Sequence, residues 1–185
     1  YLGDIDNDGT ADLLVGAGFG GGPRIAIFRG TGLLKGASTV EKLIPDFFAF
    51  PGTDAVTLRN GVFVSSGDLD LDGFADLVFG GGPGGGPRVF ALSGQDVLRD
   101  VASAQESSLA NFFVGGNSTA RGGTRVAVKD VNLDQRLDLV VGSGEGQPSG
   151  IRTYLGFDLS GGNEPEVSTT IDPFGATVAA GVFVG

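Results

Sequence analysis

A chain of 185 residues with 41% hydrophobic and 18% charged content has the material for a folded core and is not a disordered polymer. Its formal net charge of −10 denies nucleic acid and anionic membrane surfaces the basic face they need, and no apolar run approaches the roughly 18 residues of a membrane span. With no Cys and no His, disulfides and the usual zinc, copper and haem ligands are excluded, which leaves oxygen as the metal-donor class.

The chain begins at Tyr1, so it is expected to be a processed or excised piece, and almost at once it reaches an acidic loop, Asp4-Ile5-Asp6-Asn7-Asp8-Gly9-Thr10-Ala11-Asp12. Carboxylates at alternate positions of a tight loop converge on one centre, which is the donor pattern calcium prefers. The spacing predicts side-chain ligands at Asp4, Asp6, Asp8 and Asp12, with the Thr10 carbonyl at position seven and a left-handed turn at Gly9. Strand signals follow at Asp12 to Gly16 and at Arg24 to Phe28, joined by a glycine-rich turn, and a further strand is expected over Phe47 to Phe50.

The frame then returns. Asp68, Asp70, Asp72 and Asp76, with the Phe74 carbonyl and Gly73, repeat the first loop. An eroded third copy offers Asp130, Asn132, Asp134 and Asp138, with the Arg136 carbonyl. There Asn132 removes a charge and Gln135 replaces the glycine, so two calcium sites are expected and the third is left open. Eleven of the 22 acidic residues lie in these loops, four, four and three in turn, so the acidity is local. Position twelve is Val15, Phe79 and Val141, which lacks the bidentate Glu of an EF-hand.

Behind each loop the same strands recur, Asp76 to Gly80 and Arg88 to Leu92, then Asp138 to Gly142 and Arg152 to Leu155. Last strands are expected at Asn111 to Val114 and at Asp172 to Phe174, with a loop or short helix over Thr31 to Ile44 and Ser93 to Ala110. The implied architecture is all-β: three four-stranded propeller blades, 1–63, 64–126 and 127–185, an incomplete propeller on their own. The strand ahead of the loop is Gly61 to Val64 in the second repeat and Arg125 to Val128 in the third. In the first it is expected from residues 181–185, as a clasp, or from a neighbour.

Phe19-Gly20-Gly21-Gly22-Pro23 beside an Asp-x-Asp-x-Asp-Gly loop, recurring as Phe79-Gly80-Gly81-Gly82-Pro83, resembles the FG-GAP (VCBS-type) repeats of integrin alpha-subunit propellers and of large bacterial surface proteins. The resemblance implies a calcium-bearing propeller and supplies no substrate. The expected function is an extracellular or cell-surface module for adhesion or for binding a protein or carbohydrate ligand, with variable loops presented on a rigid propeller. Such blades also occur in lectins and lyases. Two alternatives therefore stand beside adhesion: a subunit that assembles with copies of itself into a ring or filament, and an accessory module of a polysaccharide lyase or hydrolase. No catalytic residue is expected, because the aspartates are committed to the loops. Asn117-Ser118-Thr119 forms a glycosylation triplet in an apparent loop.

Overall fold

A computed structural model describes residues 1–36, 38–53, 57–175 and 178–185. Among the described residues, twelve strands form three antiparallel sheets of four. The first holds β1 (Leu2–Gly3), β2 (Asp12–Gly16), β3 (Arg24–Phe28) and β4 (Phe47–Phe48) in that order. The second holds β5 (Val62–Gly67), β6 (Asp76–Gly81), β7 (Arg88–Leu92) and β8 (Ala110–Phe113). The third holds β9 (Thr124–Lys129), β10 (Asp138–Ser143), β11 (Ile151–Tyr154) and β12 (Thr169–Ile171). Each sheet is an up-and-down meander, the form of a propeller blade. Short helices α1 (Gly30–Leu34), α2 (Gly94–Arg99) and α3 (Val101–Glu106) fill the stretches between third and fourth strands in the first two blades.

Burial explains the order of the blades. Every residue of β6 is buried, because the middle blade is covered on both faces. Alternate side chains point opposite ways along a strand. Leu77 and Phe79 thus join Leu14, Ile25 and Ile27 of the first blade in one core, while Val78 joins Val126, Leu139 and Val141 of the third in another. In β2 the pattern breaks: Leu14 is buried, but Val15 is 40% exposed on a face with no neighbouring blade. The two Phe-Gly-Gly-Gly-Pro runs consequently occupy different places. Phe79 sits in β6 opposite Phe90, where the first blade has Val15 opposite Ala26, whereas Phe19 lies in the turn and is exposed.

Two segments differ from the sequence expectation. Leu2–Gly3 itself pairs with Leu13 and Asp12, so the first blade has its own short leading strand. Residues 181–185 instead lie on the third blade, where the Val182 amide donates to the Ser143 carbonyl at 2.9 Å. The Val62 amide donates in the same way to Ala17 at 3.0 Å, and each contact follows a glycine with positive φ, Gly61 or Gly181. The terminal segment thus takes the seat of a next inner strand, with Phe183 edge-to-face against Phe63 and both rings against the Arg125 guanidinium. The last strand of the third blade ends at Ile171 and does not reach Asp172 to Phe174. Asp172 Oδ1 accepts from the Phe174 and Gly175 amides and closes a turn, and Pro173 has no amide to give a ladder.

The outer ends of the second and third blades are latched by Glu164. Its Oε1 accepts from the Gly115 amide at 2.8 Å, Arg152 Nη1 at 3.1 Å and the Tyr154 hydroxyl at 2.7 Å, and Oε2 accepts from the Gly116 amide at 3.0 Å. Glu164→Ala strips all four donors of their acceptor. We expect it to lower unfolding stability by about 2 kcal/mol in a denaturant titration.

Candidate metal centres

In each loop the first acid organises the backbone before any ion is considered. Asp4 accepts from the Asp8 and Gly9 amides, Asp68 from Leu71 and Gly73, and Asp130 from Leu133 and Gln135, all between 2.7 and 3.0 Å. The fifth position braces the turn, since Asp8, Asp72 and Asp134 each accept from the amide two residues on, at Thr10, Phe74 and Arg136. These bonds hold the carboxylates inward and need two left-handed residues. One is Gly9 (φ 86°), Gly73 (φ 91°) or, as the sequence requires, Gln135 (φ 71°). The other, at position four, is Asn7, Leu71 or Leu133, which the acid spacing did not reveal.

The ninth-position acids have a structural task. Asp12 accepts from Ile5 (3.0 Å) and Gly30 (2.8 Å), Asp76 from Leu69 (2.7 Å) and Gly94 (3.0 Å), and Asp138 from Val131 (3.0 Å) and Gly156 (2.9 Å). All three are fully buried. Each ties its loop to the exit of the third strand, where the backbone runs so close that a β-carbon on Gly30, Gly94 or Gly156 would lie 2.1–2.2 Å from the carbonyl oxygen of Ala11, Ala75 or Leu137. Nothing in the acid spacing singles these glycines out.

Ligand-type oxygens gather within 4.8 Å of one another at two places among the described residues: Asp4, Asp6 and Asp8, and Asp68, Asp70 and Asp76. The sets differ, using positions one, three and five in the first loop and one, three and nine in the second. Burial raises the carboxyl pKa of Asp12 and of Asp70, the latter further through the Asp72 charge, and pushes Asp76 up to about 7. The third loop behaves otherwise. The Asn132 side-chain amide donates to Asp134 Oδ2 at 2.8 Å and holds that carboxyl below its ordinary range. Arg136 turns away, its Nε donating to the Leu69 carbonyl of the second loop at 2.8 Å.

Hard oxygen donors in a tight loop suit calcium, which takes six to eight of them. The first loop adds an orphan: Asp6 Oδ1 is buried and has no hydrogen-bond partner, while Oδ2 is engaged by Arg29 Nη1. A buried acceptor without a donor costs about 1–3 kcal/mol, which a cation would recover. Thus Asp4, Asp6 and Asp8, and Asp68, Asp70 and Asp76, fit such an ion. Neighbouring loops also touch, since the Ala75 amide donates to the Asp4 carbonyl at 2.8 Å. Arg29 was missed in the sequence because it lies 17 residues beyond Asp12 and its place in the other blades is taken by Ser93 and Leu155.

No curated protein and no solved structure matches the chain. A family model described as an FG-GAP-like repeat matches residues 4–79, from the first acidic loop through the second to the middle of β6. With two copies of the loop inside that span and blade-type sheets on either side, residues 4–79 belong to the FG-GAP-like repeat family.

Proposed function

We propose that the chain is a calcium-stabilised propeller module, extracellular or at the cell surface, that holds exposed loops for a protein or carbohydrate ligand. The observation that carries this reading is the gathering of three carboxylate groups at each of two adjacent loops. Like charges at such spacing repel, and the repulsion is relieved when a divalent cation neutralises them. The ion supplies charge neutralisation, and the loop residues supply oxygens already aimed by their backbone bonds.

Antiparallel topology puts the glycine-rich turns at the end opposite the acidic loops. Two clefts open there between blades. One, of about 240 Å³, is lined by Asn60, Gly82, Arg88 and Arg121, and the other, of about 290 Å³, by Thr124, Gln147, Ser149 and Arg152. We place ligand contact at this end, on loops that differ between repeats while the strands keep their pattern. Asn117, whose side chain accepts from the Thr119 and Ala120 amides, lies at the rim of the larger cleft. Catalysis has no part in the reading, because the clustered carboxylates serve the loops.

Chelation of divalent ions is expected to lower the melting temperature, and Asp70→Ala, which deletes one ligand of the second loop, to shrink that dependence by roughly half. Thermal melts with excess calcium and with excess chelator measure both. Identical melting temperatures in the two conditions would remove calcium from the proposal.

A further inference from the structure

The two acidic clusters are not electrostatic equals. In the first, Arg29 makes an ion pair with Asp6, whose side chain is 14% exposed. In the second, the equivalent residue is Ser93, found by the register of Gly30 with Gly94, and Ser93 is neutral and caps α2 by accepting from the Asp96 amide at 3.3 Å. Asp70 forms no ion pair among the described residues. The Arg136 charge is felt there, but its Nε donates to the Leu69 carbonyl and not to an acidic ligand.

We propose that Arg29 is a built-in counter-cation that makes the first loop the weaker of two calcium sites, filled only after the second. The inference rests on the calcium reading above. Calcium affinity rises with the net negative charge of the ligand set, and a fixed positive charge on one of the ligands subtracts from it. Arg29 takes one oxygen of Asp6 and leaves the other, Oδ1, buried and open, so the loop keeps a donor set but offers it at reduced charge. Glu41 restores little of that charge. Its carboxylate stands 3.7 Å from Arg29 Nε and is 77% exposed, where solvent screens it. The same arginine ties down a carboxylate of the first loop when no ion is bound, whereas Arg136 braces the second loop only at the Leu69 carbonyl.

The test is a calorimetric titration of calcium chloride into chelator-stripped protein, for the natural chain and for Arg29→Gln, Arg29→Lys and Asp70→Ala. Two binding steps are expected in the natural chain. Arg29→Gln should tighten the weaker step by about tenfold and leave the tighter one in place, Arg29→Lys should keep both, and Asp70→Ala should abolish the tighter step alone. In chelator, Arg29→Gln should also melt at a lower temperature than Arg29→Lys. An unchanged or weakened second step in Arg29→Gln, or an equal gain in Arg29→Lys, overturns the assignment to Arg29 while calcium binding stands. Absence of any binding heat in the natural chain overturns both readings together.

Discussion

Asp76→Ala is expected to cost about 3–5 kcal/mol of folding stability. The side chain is fully buried and its two oxygens accept from the Leu69 and Gly94 amides, so its removal leaves two buried donors unmet at roughly 1–3 kcal/mol each. No repacking can answer them, because the Gly94 backbone already lies against the Ala75 carbonyl. Asp76→Asn should fall between, since its amide keeps one acceptor and turns a donor toward the second N–H. Urea unfolding in excess chelator separates this bracing from any metal contribution. A loss below 1 kcal/mol for the alanine variant would show that the amides find other partners.

The second expectation concerns pH. Burial raises the Asp76 carboxyl from 3.8 to about 7, so the metal-free folded state holds a proton that the unfolded chain releases near pH 4. Its contribution to stability is therefore complete below about pH 4 and lost as pH rises through 7. A shift of that size corresponds to about 4 kcal/mol. Asp46, Asp100, Asp134 and Asp172 act with the opposite sign, since hydrogen bonds hold their pKa down, and they lose stability only as pH falls below the ordinary carboxylate range. In chelator the protein should thus be most stable near pH 4–5 and weaken toward pH 8. Calcium should remove that decline by stabilising the ionised carboxylates. Guanidinium titrations at pH 5 and pH 8, with and without calcium, measure the difference, and a chelated protein more stable at pH 8 would contradict the assignment.

The blades were legible because their signals are periodic. Loop, strand, glycine turn and arginine return in order, and β2, β6 and β10 all begin at the ninth-position aspartate. What the repeat does not encode stayed hidden. Leu2–Gly3 is too short to read as a strand, yet its pairing needs only two residues beside β2. Residues 181–185 resemble a leading strand, and sequence alone could not say which blade receives them. At the loops, acid spacing points to metal ligands but cannot separate a carboxylate that binds an ion from one that braces a backbone. Asp12, Asp76 and Asp138 brace, whatever else they do. Arg29 shares no motif with the residues it touches, and only folding brings it to Asp6.

The seat of residues 181–185 bears on how the module would yield to mechanical load. Tension applied at Gly185 meets first the single Val182–Ser143 backbone bond and the stack of Phe183 on Arg125. Those contacts are crossed one at a time, so the segment peels at low force. Behind it along the chain, the Ala179–Gly146 and Val178–Ser149 backbone bonds and then the β11–β12 ladder, paired from Ile151 with Ile171 to Thr153 with Thr169, take up the load. The peeling segment acts as a slack link that lengthens before either acidic loop is strained.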